Sequence, residues 1–113
     1  MIFALATDDK SLLVFHDAMS AIAYCEGIDV EDGVWNFWGS GGEALEPVFS
    51  QPNERTGSWV SNGAYSLQPS AKLQDLLASL DEVGHLEPNP YFSSLAAVAE
   101  HLAQSSRLHQ HRA

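Results

Sequence analysis

The residues of this chain that are best suited to chemistry lie in one short stretch, CEGIDVEDGVWNFW, at residues 25–38. Carboxylates at this density can bind a cation, divide acid and base roles, or attract a basic partner protein. Each of these functions requires a different spacing of the carboxylates, so the sequence can distinguish among them. The residues concerned are Glu26, Asp29, Glu31, Asp32, Trp35 and Trp38.

The spacing of the carboxylates does not fit a calcium loop. An EF-hand needs oxygen ligands at its first, third and fifth positions, glycine at the sixth and glutamate at the twelfth. Counting from Asp29 puts Gly33 fifth and Ser40 twelfth, whereas counting from Ile28 supplies no carboxylate at the first position. A glycosidase pair is not indicated either, because its carboxylates oppose each other across a cleft. Two interpretations remain: a solvated connection, or a surface for a basic partner.

Other reactive residue types are scattered along the chain. Cys25 and His16 are separated by nine positions and nothing predicts their contact, so we expect a buried, inert cysteine. The histidines show no HExxH or cysteine-rich spacing. We therefore predict no catalytic residue, metal site or cofactor. The five histidines are His16, His85, His101, His109 and His111.

The glycine-rich segment WGSGGE fits neither a serine nucleophile nor a phosphate loop. Trp38 stands where the G-x-S-x-G elbow requires its first glycine, and no lysine follows the glycines. An enzyme would instead need a pocket that joins distant residues such as His16, His85 and Glu87. We expect a non-enzymatic protein.

The charge of the chain is strongly negative and unevenly distributed. The formal net charge is -10, and residues 1–54 hold ten carboxylates but only one cation, Lys10. Binding to nucleic acid or to an anionic membrane requires clustered cations, so neither is expected as a partner. A negative field instead attracts cationic proteins.

Length and composition predict one globular domain, residues 1–106, with a flexible tail at 107–113. The apolar start of the chain has no basic flank and is interrupted at Asp8, so it does not read as a signal peptide or membrane span. The single cysteine, Cys25, is compatible with a reducing compartment. We expect a cytoplasmic protein.

The first half of the sequence predicts a sheet with one inserted helix. IFALAT and SLLVF read as strands of an antiparallel hairpin. Asp17 is a good N-cap for a helix that Gly27 would end in a left-handed conformation. The segments 34–38 and 44–49 follow as strands around a loop, and Pro47 would suit an edge or a bulge.

The second half predicts a hairpin and then two helices. Asn62 and Gly63 are typical of a type I′ turn between the β-prone runs of SWVSNGAYSL. Leucines at helical spacing predict a helix between Ser70 and Gly84, and a similar pattern predicts another ending near Ser106. The fold class is therefore α+β: a mostly antiparallel sheet of hairpins with one inserted helix and two C-terminal helices packed on it.

The two tryptophans beside the acidic stretch should point to opposite faces of their strand. Either one is exposed as an anchor for a partner, or both are core, one under the first helix and one under the C-terminal helices. In the first case, Glu26, Asp29, Glu31 and Asp32 would steer a basic partner, and Trp35 or Trp38 would supply the buried contact.

In size, charge and its EGIDVEDGVW patch, the chain resembles immunity proteins of bacterial toxin–immunity systems. The resemblance implies binding and neutralisation of a cognate toxin, with carboxylates occupying a basic cleft that is built for phosphate. It transfers no individual residue, because these proteins have many folds. The alternative is a structural or regulatory adaptor that forms a homodimer through a sheet edge or its C-terminal helices.

Overall fold

A computed structural model describes the backbone of residues 1–112 and the side chains of residues 1–106. The strands are β1 (Ile2–Ala6), β2 (Ser11–Phe15), β3 (Trp35–Trp38), β4 (Ala44–Gln51), β5 (Glu54–Thr56), β6 (Trp59–Ser61), β7 (Ala64–Pro69) and β8 (His85–Leu86). The helices are α1 (Ala18–Tyr24), α2 (Gly27–Glu31), α3 (Leu76–Ser79) and α4 (Leu95–Arg112), and a 3₁₀ turn (Leu80–Glu82) follows α3. The prediction that the last helix ends near Ser106 is wrong, because α4 continues to Arg112 and includes residues 107–112 of the predicted tail.

The fold is α+β, which confirms the predicted class. Six strands form one sheet in the order β7-β4-β3-β1-β2-β8, in which only β2 and β8 run parallel. Strands β5 and β6 form a separate two-stranded arm. Among residues 1–112, no helix combines the length and the apolar character needed to cross a membrane.

Strand alternation divides the apolar side chains between the two faces of the sheet. On one face, α3, the 3₁₀ turn and α4 cover a cluster built around Phe3, Leu12 and Leu102. On the other face, α1 and α2 cover a smaller cluster that contains Ala4 and Phe37. The two faces are therefore packed separately, and the second helical layer is much shorter than the first.

The N-terminal hairpin and the cap of α1 form as predicted. β1 and β2 pair antiparallel, and the connection closes with Lys10 at a φ of 60° and Asp9 accepting from the Ser11 backbone N–H. The Asp17 carboxylate accepts from the Ser20 N–H at 2.8 Å. This backbone hydrogen bond lowers the pKa of Asp17 below its usual value.

The predicted helix stop at Gly27 is wrong. α1 ends before it, at Tyr24, and Gly27 begins the additional helix α2. A side chain at Gly27 would meet the Asn53 side-chain oxygen at 2.5 Å, so the glycine serves close packing. Gly33, at a φ of 80°, takes the left-handed position after α2.

The predicted turn at Asn62 and Gly63 is also wrong. The arm turns at Gly57, whose φ is 62°, and β7 pairs with β4 instead of β6. Asn62 uses its side-chain oxygen to accept from the Ile28 N–H at the start of α2. The dipeptide therefore connects the arm to the six-stranded sheet. Its side-chain contact is made to a distant element and not within a tight turn.

The long helix predicted between Ser70 and Gly84 is reduced to α3 and the 3₁₀ turn. The Ser70 N–H donates to the Ala44 carbonyl at the start of β4, and the Leu76 N–H donates to the Gly42 carbonyl in the loop before that strand. These bonds satisfy backbone groups that helix formation would otherwise use. Of the predicted apolar stripe, Leu76 is buried, whereas Leu73 and Leu77 are exposed.

Candidate binding groove

The acidic stretch does not form one continuous surface. Glu31 and Asp32 lie within reach of Arg55 on the arm, whose guanidinium is 2.8 Å from Asp32 and 3.7 Å from Glu31. Glu26 is exposed at the cap position of α2 and makes no capping bond through its side chain. Asp29, within this short helix, is partly buried. Half of the predicted patch is thus compensated within the chain.

The two tryptophans have different surroundings. Trp38 is 3% exposed in the cluster under the C-terminal helices, and its indole N–H donates to the Gln74 carbonyl at 2.9 Å. Trp35 packs at the margin of the opposite cluster and is only partly buried. Trp35 is therefore the tryptophan of the acidic stretch that a ligand can reach.

A groove lies on the face of the sheet that α1 and α2 cover incompletely. Its volume is about 570 Å³, within the range of about 300–1,000 Å³ that is common for ligand sites. The floor is formed by side chains of β1, β2 and β3, and the walls by the C-terminal end of α1, by α2, by the first hairpin turn and by the segments before β3 and after β8. The lining residues are Ala6, Asp8, Asp9, Ser11, Leu13, Val14, Phe15, Tyr24, Asp29, Val34, Trp35, Glu87 and Pro88.

The groove is negatively charged without a compensating cation in its lining. Its carboxylates come from three separate parts of the chain, the first turn, α2 and the segment after β8, and none of the described lining residues is a lysine, arginine or histidine. The field of these carboxylates attracts a cation to the groove. The acidic side chains are Asp8, Asp9, Asp29 and Glu87.

Backbone hydrogen bonds fix the wall between the first hairpin and α2. The Thr7 N–H donates to the Val34 carbonyl at 2.7 Å, and the Thr7 hydroxyl donates to the Gly33 carbonyl at 2.9 Å. The Val34 N–H in turn donates to the Asp29 carbonyl at 2.9 Å. The acidic turn and Asp29 are therefore connected through a short bonded path and belong to one side of the groove.

Three aromatic rings line the groove in a connected series. The Tyr24 ring lies 5.5 Å from that of Phe15 and 6.0 Å from that of Trp35, and it meets Trp35 edge to face. Tyr24 is nevertheless 61% exposed. A buried pair of rings would be explained by packing alone, whereas this series leaves ring surface open beside the carboxylates.

Sequence reasoning identified Asp29 and Trp35 but missed the other charged and aromatic members of the groove. From the sequence, Asp8 and Asp9 are part of a polar turn that interrupts the apolar start of the chain, and Glu87 belongs to a hypothetical enzyme site. The charge imbalance of residues 1–54 was the signal that pointed beyond the stretch at residues 25–38. Strand pairing then decides which of the N-terminal acids come together.

Cys25 lies in the small core cluster and is fully buried. Burial, with a smaller contribution from the Asp29 charge, raises the pKa of its thiol to about 12. The Tyr65 hydroxyl donates to the Cys25 carbonyl at 2.6 Å, and burial also raises the pKa of Tyr65. Both groups stay protonated at neutral pH.

Cys25 is expected to be inert towards thiol reagents in the folded protein. A protonated, buried thiol is a poor nucleophile, so at pH 8 Ellman's reagent should label it only at the rate at which the protein opens. Labelling should become complete within minutes once the protein is unfolded in guanidinium chloride. Rapid labelling of the native protein would contradict the burial of this residue.

The described histidines make separate local contacts. His16 lies 3.2 Å from the Tyr91 hydroxyl, His85 lies 3.5 Å from Glu87, and His101 lies 2.7 Å from the Ser40 carbonyl. His16 and His85 do not line the groove with Glu87. Within the residues that the structure describes, no group of three potential ligands could hold a metal ion. His109 and His111 lie outside the described side chains.

Comparison with known proteins adds no family assignment: no protein-family model, curated protein or solved structure matches the chain. The class of protein defined by the fold is therefore limited to a small α+β domain with an acidic, aromatic groove on one face of its sheet.

Proposed function

We propose that the protein is a binding module for a basic protein partner and that the groove face makes the contact. The observation that carries this proposal is the groove itself, where four carboxylates and three aromatic rings meet without a cation among the described lining residues. Aromatic side chains supply contact area, and carboxylates that have no lysine or arginine beside them in the groove lining supply charge complementarity. Binding energy and steering are then available at the same surface.

In its more specific form, the proposal is that the partner is a bacterial toxin and that the protein is its immunity protein. The net charge of -10 and the acidic, aromatic surface support this form, because an anionic surface can occlude a basic catalytic cleft. The resemblance of overall profile to immunity proteins supports it as well. No catalytic step is required of the protein in this role.

The central test removes the charge of the groove and leaves its shape. The groove variant, D8N/D9N/D29N/E87Q, should bind the partner at least about tenfold more weakly at low salt, mainly through a slower association rate. Asparagine retains the oxygen with which Asp9 accepts from Ser11, so the turn is preserved. A matched control variant loses four acids elsewhere on the surface: E54Q/D75N/D81N/E100Q.

Wild-type protein and both variants are immobilised and exposed to lysate of the source organism, and retained proteins are measured by quantitative mass spectrometry. A basic protein retained by wild type and by the control variant, but not by the groove variant, supports the proposal. Toxicity of that protein when expressed alone, relieved by coexpression, would support its more specific form. Equal retention of the basic protein by wild type and by the groove variant at low salt would overturn the proposal that the groove makes the contact.

The outer acids provide an internal comparison. Neutralising Glu31 and Asp32 should weaken binding less than neutralising an equal number of groove acids, because Arg55 already compensates them. The side chains of Arg55 and Asp32 are each about half exposed, so this ion pair adds little to the stability of the fold.

Self-association is a second candidate, favoured by the opposite end of the sheet. β7 is an edge strand, and the nearby arm exposes Trp59 (69%) and Val60. An unpaired edge beside exposed apolar side chains can pair with a second copy. A dimer that persists at high salt in size-exclusion chromatography with light scattering would favour this candidate over a charge-driven partner.

A further inference from the structure

We infer that the groove recognises an arginine side chain of the partner. This inference rests on the proposed function and specifies the chemistry of its contact. Three properties of the groove lead to it: the position of its acids, the aromatic series and the apolar floor.

The acids lie on different elements around the groove. Asp8 and Asp9 belong to the first hairpin turn, Asp29 to α2, and Glu87 to the segment after β8. A side chain with several donors can bond to acids on more than one wall. The guanidinium group has five N–H donors in a planar arrangement that pairs with carboxylates in a bidentate manner.

The aromatic series distinguishes arginine from lysine. Tyr24 and Trp35 meet edge to face, with 81° between their planes, so the two rings form a corner beside the acids. A guanidinium is planar and weakly hydrated and stacks on aromatic faces, whereas an ammonium is compact and strongly hydrated. The corner therefore favours the flat cation.

The floor of the groove suits the rest of an arginine side chain. Ala6, Leu13 and Val34 contribute small or aliphatic side chains to the lining. Arginine can bury its three-carbon stem on such surface while its charged head reaches polar groups.

The test uses capped tripeptides, so it does not depend on identifying the partner. Glycine-arginine-glycine, glycine-lysine-glycine and glycine-citrulline-glycine are titrated into ¹⁵N-labelled full-length protein at matched low ionic strength. Citrulline has nearly the shape of arginine but no charge. The indole N–H signal of Trp35, assigned with a W35F variant, reports on the groove, and those of Trp38 and Trp59 serve as internal references.

The expected result is saturable movement of the Trp35 signal with the arginine peptide, with a dissociation constant of the order of 1–10 mM for so small a ligand. The lysine peptide should bind about threefold more weakly, and the citrulline peptide at least tenfold more weakly. The groove variant should lose at least fivefold in affinity for the arginine peptide, whereas the control variant should not.

Equal binding of the arginine and citrulline peptides, equal binding of the arginine and lysine peptides, or movement of the Trp59 signal in place of Trp35 would overturn the inference. The two proposals fail in different ways. Groove-dependent retention of a basic protein without arginine-peptide binding would overturn only the arginine contact. Arginine-peptide binding without any groove-dependent protein partner would support the site and overturn the proposed function.

Discussion

Replacing Trp38 with alanine is expected to lower the free energy of unfolding by about 3–5 kcal/mol, the range found for removal of a large aromatic from a core. Trp38 is 3% exposed and packs in the cluster that joins the sheet to α3 and α4. The substitution also leaves the Gln74 carbonyl without the indole donor. Because a small domain has about 5–15 kcal/mol of total stability, the variant should be close to unfolding.

Two further variants separate packing from hydrogen bonding and from partner binding. Trp38→Phe retains a ring but not the N–H donor, so it should be destabilised less than the alanine variant. Trp35→Ala should cost less stability, since Trp35 is only partly buried, and should weaken the groove contact. Urea unfolding followed by circular dichroism measures the free energy of unfolding of all three variants. A loss below about 1 kcal/mol for Trp38→Ala would show that Trp38 is not a core residue.

Replacing Gly63 with alanine is the second change for which we expect a large effect. The added methyl group would overlap the Gln51 carbonyl oxygen and lie 2.6 Å from the carbonyl carbon and oxygen of Pro52. These are backbone atoms and cannot rotate away, so the connection between β4 and β5 must move. We expect a loss of about 1–3 kcal/mol, the usual cost of overpacking, with the value near the upper end.

The displacement at Gly63 should also disturb α2. The Gly63 N–H donates to the Asn53 side chain, which in turn donates to the Gly27 carbonyl at the start of that helix. Gly84→Ala is the matched control, because its added methyl group would make only ordinary contacts with Lys10, at 3.4 Å or more. That control should stay within about 0.5 kcal/mol of wild type. Equal unfolding midpoints for the two variants would contradict the close approach at Gly63.

The correct predictions share a local cause. Asp17 was recognised as a cap because a cap bond spans only three residues, to Ser20. The first hairpin followed from two β-prone runs and a short polar turn. In both cases the residues that form the structure are neighbours in the sequence, so their types and spacing carry the necessary information.

The incorrect predictions share a distant cause. Asn62 and Gly63 have the composition of a tight turn, but contacts with Ile28 and Asn53 determine their conformation. The leucines after Ser70 have helical spacing, yet backbone hydrogen bonds to Ala44 and Gly42 hold this segment at the start of β4. Local propensity is worth a fraction of a kcal/mol per residue, so a few tertiary contacts can override it.

The sequence by itself determined the α+β class, the cap of α1, the first hairpin and the concentration of negative charge in the N-terminal half. Only the tertiary structure decided that Trp38 is core, that Arg55 compensates Glu31 and Asp32, and that Asp29 and Trp35 share a groove with acids from other elements. The physical reason is that strand order and the short second helical layer determine which part of the sheet stays uncovered. Residue spacing specifies the face of a strand but not its neighbours or its cover.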